Sequence, residues 1–194
     1  MIVTEVAVPD IVIADDPHRP KGVHVSAIIG DILKRMDPAR YDKHDADGKP
    51  VPMDAVKVTA GLSYERSLER LLIKSQVVPG LFRPDPLQKD GVWGSPDGID
   101  PDLFGPVEYK LTWYSARKVF PDDPVYWPYV TQVQAYCAML DAVRAVVWIQ
   151  YVNGDYAPPR PWAPKKYRLE FTEQEVQDKW QLLIRHAQSL GWLP

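Results

Sequence analysis

Glu108 and Lys110 stand one residue apart in a segment, residues 107–113, whose β-branched and aromatic content reads as a strand. Side chains alternate faces along a strand, so an acid and a base share one face while Tyr109 points back into the protein. Asp97 occupies a Pro96-Asp97-Gly98 turn after an apolar run, and a hairpin there carries its carboxylate alongside Glu108. Two carboxylates that close repel each other unless a cation lies between them, and Mg²⁺ is the usual occupant of such a hard-oxygen pair. Lys110 beside them is suited to orienting a water or steadying charge that builds on a phosphate under attack. The residues alone leave a plainer reading open, a hairpin aspartate with no chemistry. Asp100 and Asp102 lie nearby, but they fall in a turn around Pro101 and read as turn residues.

At Pro96-Asp97 and Glu108-Tyr109-Lys110 the sequence resembles the PD-(D/E)XK nuclease superfamily. Two further stretches are similar to one branch of it, the lambda-exonuclease-like phage recombination exonucleases and the RecB-type nucleases. Gly61-Leu62-Ser63-Tyr64-Glu65 resembles the helix that supplies another acid, and Gln132-Val133-Gln134-Ala135-Tyr136 resembles the Gln-x-x-x-Tyr helix that follows the strand. The resemblance spans residues 59–153. It implies an α/β fold with a mixed central β-sheet flanked by helices, the restriction-endonuclease-like core. It also implies that Asp97, Glu108 and Glu65, with the backbone carbonyl of Tyr109, hold one or two Mg²⁺ ions, with Mn²⁺ able to substitute. Lys110 then positions or helps deprotonate a water, and Gln132 and Tyr136 stand at the edge of the active site.

The implied activity is Mg-dependent DNA exonuclease cleavage, with linear double-stranded ends as substrate, in phage-type recombination or repair. Such relatives also imply a ring of three subunits or a single-strand annealing partner. Two alternatives stay open: a structure-directed or RecB-type endonuclease subunit, and a DNA-binding or assembly module that does not cut.

The residues themselves leave the third acid undecided. Glu65 and Glu69 lie one turn apart on a helix, where either reaches the metal or pairs with Arg66 and Arg70 on a wet surface. Arg66, Trp113, Tyr114, Ser115, Arg117 and Lys118 are candidates for nucleic-acid contact, because rings stack on bases and cations track phosphates. The same residues also suit an ordinary loop with an apolar anchor.

With 194 residues the chain suits one domain, an N-terminal decoration at 1–55 followed by a nuclease core at 56–194. A net charge of −3 argues against a general polyanion binder but permits a local basic channel. The one cysteine, Cys137, excludes an internal disulfide and a four-cysteine iron–sulfur cluster. No apolar run of membrane-spanning length and no charged-then-apolar opening occurs, so a cytoplasmic protein is expected.

The elements that must position these residues follow from periodicity. Residues 1–13 suggest edge strands, and 26–36 a helix capped by Ser26 and ended at Asp37-Pro38. Residues 42–54 read as a loop, with a solvated Asp45-Ala46-Asp47-Gly48 turn, and 59–74 as a helix with Leu62, Leu68, Leu71, Leu72 and Ile73 inward. Strands are expected at 77–82 and 92–99, paired across a connection at 84–90, with Trp93 in the core. Pro128 opens a helix to Leu140, and 142–152 form a buried central strand. Residues 157–164 form a proline-rich loop, 166–171 a strand, and a capping box at Thr172–Glu175 starts the last helix.

Overall fold

A computed structural model describes residues 19–44, 55–156 and 163–194, the side chains of 55 and 56 excepted. The expected strands at 1–13, the Asp45–Gly48 turn and most of the proline-rich loop lie outside the described residues. In chain order the elements are β1 (Val23–His24), α1 (Val25–Met36), α2 (Pro38–Tyr41), α3 (Ala55–Ser75), β2 (Leu87–Lys89), β3 (Val92–Gly94), β4 (Gly98–Asp100) and β5 (Gly105–Thr112). There follow a 3₁₀ turn (Pro124–Tyr126), α4 (Trp127–Leu140), β6 (Arg144–Tyr151), β7 (Lys165–Glu170) and α5 (Glu173–Ser189). The class is the expected mixed α/β one.

Four strands form the main sheet in the order β4-β5-β6-β7. β5 and β6 run parallel, with α4 as the crossover between them, and the outer pairs are antiparallel. Alternation then sorts the side chains. Val107, Tyr109 and Val146 face Leu68 and Leu72 of α3, whereas Ala145, Val147, Ile149 and Tyr151 join α4, α5 and α1 on the other side. α5 holds that second layer shut with Val176, Trp180, Leu183 and Ala187, and burial of side chains this size contributes about 1.5–3 kcal/mol each. Its Thr172–Glu175 capping box is formed in both directions.

The strands before the site differ from expectation. Residues 77–82 form no strand: Pro79-Gly80 turns the chain, with Gly80 at φ +71, and only Phe82 bridges to Ile99. The expected strand at 92–99 is broken at Ser95-Pro96-Asp97, because Pro96 has no N–H to offer a ladder. β3 therefore belongs to a separate small sheet, β1-β3-β2, and β4 to the main one. The residues expected to be a connection contain β2, which makes a hairpin with β3 through Asp90-Gly91, at φ +50 and +78. An Asp-Gly pair is a strong hairpin signal, and it stood unread in the sequence.

Three smaller corrections concern helices. α1 begins at Val25 with His24 as an N-cap whose side chain makes no cap bond, and Ser26 instead accepts from Arg19 at 3.0 Å. Asp37-Pro38 ends α1 but opens α2, with the Asp37 side chain accepting from the Arg40 N–H. α3 buries Leu68 and Leu72 but leaves Leu62, Leu71 and Ile73 at 45%, 61% and 45% exposure, since it rests on the sheet along a narrow stripe.

Candidate active site

The break between the two sheets sets the site. Asp97 is the residue just before β4, and since Gly98 lies opposite Val107, continuing the antiparallel register brings Asp97 to Glu108. Its Oδ2 accepts the Tyr109 N–H at 2.8 Å, so the carboxylate serves the β5 backbone where no strand does. N–H and C=O of one strand residue point to the same edge, which turns the Tyr109 carbonyl toward Asp97 as well. The Tyr109 side chain is buried, as alternation requires.

Glu108 and Lys110 project from the opposite face. The Lys110 ammonium donates to Glu108 Oε1, while Oε2 is buried and has no partner. From α4, Gln132 Nε2 donates to the Tyr136 hydroxyl at 2.8 Å, one helical turn apart, leaving the phenol proton for another acceptor. Gly94 lets the small sheet come close to this helix: a Cβ there would meet Met139 Sδ at 2.5 Å and Tyr136 Cε1 at 2.9 Å.

Glu65 arrives from α3, on the Tyr109 side of the sheet, so the group straddles the open β5 edge. Glu69 is engaged elsewhere, accepting from Arg83 Nε at 3.0 and 3.1 Å. A cleft of about 440 Å³ gathers Glu65, Asp97, Glu108, Lys110, Gln132 and Tyr136. Arg19, His24, Ser26, Arg83 and Trp93 also line it, and sequence reasoning missed them as site residues. Trp93 is accordingly half-buried rather than core, and His24 bonds the Pro20 carbonyl at 2.7 Å.

The six residues expected at nucleic acid are not brought to this cleft. Arg66 is exposed on α3. The Tyr114 ring packs edge-on against Tyr126 at 6.2 Å, and its hydroxyl accepts from Arg40 at 2.9 Å. Arg117 pairs with Asp155 at 3.3 Å and Lys118 with Asp123 at 3.1 Å, Ser115 accepts the Arg117 N–H, and the Trp113 carbonyl accepts from Tyr156.

Electrostatics mark the cleft. Burial, then the charge of Asp97, pushes Glu65 up to about 7 and Glu108 up to about 8. Burial likewise raises Asp97, against the pull of Lys110 and the Tyr109 N–H. Burial opposes the charge on Lys110, but Glu108, Asp97 and Glu65 together outweigh it and raise its pKa, so Lys110 is an ammonium here, a donor rather than a base. Among the described residues no three His, Cys, Asp or Glu side chains form a group that could hold a metal ion. The donor chemistry nonetheless fits a hard cation: carboxylate oxygens that repel one another, one of them buried and unpartnered.

A pH effect follows with a definite sign. Two acids whose pKa is higher folded than unfolded keep protons that the unfolded chain has released, so metal-free stability falls as pH rises between about 4.5 and about 8. The melting temperature in chelator is expected to drop from pH 5 to pH 8, and Mg²⁺ at pH 8 to recover several degrees. A melting curve indifferent to both would show that these carboxylates are not mutually strained.

No family model and no curated protein matches the sequence. Solved structures do. A phage-related exonuclease from Haemophilus somnus 129PT superposes with a TM-score of 0.54 at 15% identity, over 87% of this chain and 92% of that one. LHK-Exo, an alkaline exonuclease from Laribacter hongkongensis solved in complex with dAMP, gives 0.50 at 15% identity, over 87% and 88%. The chain has the fold of the phage-related exonucleases. At this identity the exonuclease fold is what is shared, and the chemistry must be argued from the cleft.

Proposed function

We propose that this protein is a divalent-metal-dependent DNA exonuclease. The observation that carries the reading is the meeting of Asp97, Glu108 and Lys110 at an open strand edge, with a buried Glu108 oxygen left without a partner. That two solved structures with this fold are exonucleases, one with a nucleotide bound, supports a nucleic-acid end as substrate. Asp97 and Glu108, with the Tyr109 carbonyl, are the groups that would hold Mg²⁺, and Glu65 is the further carboxylate lining the same cleft. When bound, the ion lowers the pKa of an attacking water and offsets phosphate charge.

The chain's own residues do the rest. Tyr109 N–H fixes Asp97 so that it cannot swing away, and Lys110 fixes Glu108. The Lys110 ammonium, buried among acids, faces the charge that develops on the phosphate as water displaces the leaving oxygen in line. The Tyr136 hydroxyl, oriented by Gln132, offers a neutral hydrogen bond at the same edge. Arg19 and Arg83 put guanidinium groups on the cleft walls, where an entering polyanion meets them.

The reading is tested with end-labelled linear duplex and covalently closed circular DNA in Mg²⁺. Loss of the linear substrate alone is expected, and chelator should stop it. Cutting of the circle would reassign the cleft to an endonuclease, and survival of both substrates in Mg²⁺ and Mn²⁺ would remove the nuclease reading. A place in end resection during recombination is part of the same proposal, since resection consumes linear ends.

A further inference from the structure

Arg83 is held in an unusual way for a residue on a cleft wall. Its Nε donates to both Glu69 oxygens, at 3.0 and 3.1 Å, and Nη2 lies 2.9 Å from Glu69 Oε2 and 3.6 Å from Asp97 Oδ1. One edge of the guanidinium is thus occupied by an acid that is itself 17% exposed, while the arginine side chain remains 43% exposed. Pro84 follows directly and restricts the Arg83 backbone to extended conformations. The end of the guanidinium that carries Nη1 is the part Glu69 does not engage, and Arg83 lines the cleft beside Asp97.

A planar fork fixed along one edge loses little freedom when its other edge meets two oxygens of a phosphate. The cleft also needs such a group, since a nucleic-acid strand must enter beside Asp97, Glu108 and Glu65.

We infer that Arg83 grips a backbone phosphate of the bound strand next to the reacting one, and that Glu69 is its positioning residue. The inference rests on the nuclease reading and adds to it a substrate contact. It also gives Glu69, the second acid of the α3 pair, a task other than holding metal.

The test is duplex binding followed by fluorescence anisotropy across a salt series, with Ca²⁺ in place of Mg²⁺, alongside cleavage by the wild-type protein in Mg²⁺. Arg83→Gln should weaken binding about tenfold and reduce the slope of log K against log salt by about 0.9, the signature of one lost phosphate contact. Arg83→Lys should keep the slope but lose affinity severalfold, because an ammonium cannot be locked along an edge. Glu69→Gln should fall between wild type and Arg83→Lys. A wild-type protein that cuts DNA, with Arg83→Gln matching it in affinity and slope, overturns the inference and leaves the nuclease reading standing. A wild-type protein that neither binds nor cuts removes both. If Arg83→Gln melts below the assay temperature, Arg83→Lys decides alone, and wild-type affinity in it overturns the inference.

Discussion

Asp97→Asn is expected to slow phosphodiester cleavage by about a thousandfold or more while raising the melting temperature of the metal-free protein. Asparagine keeps an oxygen for the Tyr109 N–H, so the β5 edge retains its partner. What disappears is the negative charge that helps push Glu65 and Glu108 upward, and with it the repulsion the folded state must bear. The same charge is what a divalent ion and the transition state require, so rate falls as stability grows. Asp97→Ala separates the two roles. It should be equally inactive but less stable than Asp97→Asn, because the Tyr109 N–H is left unsatisfied at a cost of about 1–3 kcal/mol. Cleavage rates and melting curves of the pair in chelator check this. An Asn variant that cuts at more than a tenth of the wild-type rate would mean that Asp97 serves the backbone alone.

The second large effect is at Lys110. Lys110→Met preserves the length of the side chain and removes its charge, leaving Glu108 buried with neither oxygen paired. Breaking a buried pair on one side costs about 3 kcal/mol. For a chain of this size that corresponds to about 6–12 °C in melting temperature. The penalty should be small near pH 6 and still be growing at pH 8, because Lys110 holds the Glu108 pKa down and without it Glu108, already pushed up to about 8, keeps its proton to higher pH. Activity should fall about 10²–10³-fold, the scale for losing one preorganised donor to developing charge. Adding Glu108→Gln to Lys110→Met should restore most of the stability and none of the activity. Recovery of activity in the double variant would show that the lysine balances charge and takes no part in the reaction.

How much of this was legible beforehand depended on the range of the contacts involved. Glu108 and Lys110 were readable as a pair because strand alternation is rigid, and Gln132 and Tyr136 because residues four apart on a helix touch. Asp97 was readable through its Pro-Asp-Gly turn, though the reason it sits well, a proline that ends one sheet before another begins, was hidden in an expected continuous strand. Arg83 lies 14 residues from both Glu69 and Asp97, beyond any helical or strand period, and nothing local marks it. That Glu69 meets this arginine while Glu65 lines the cleft was equally out of local reach. The cations and rings after β5 did not come to the cleft, because composition does not reveal orientation: Arg117 and Lys118 met acids, and Tyr114 met Tyr126. On α3, apolar residues at helical spacing predicted a wider buried face than the few β5 and β6 side chains beneath it provide.

The interruption at Ser95-Pro96-Asp97 also limits how portable this centre is. An engineer who copied only the β4–β5 hairpin into a new scaffold would carry Glu108 and Lys110 but leave behind Asp97 and the break from which it hangs. The tyrosine helix, too, finds its seat through Gly94 on the far side of that gap. A transplant able to work would have to include both β-layers and the tear between them, because here the discontinuity is itself a component.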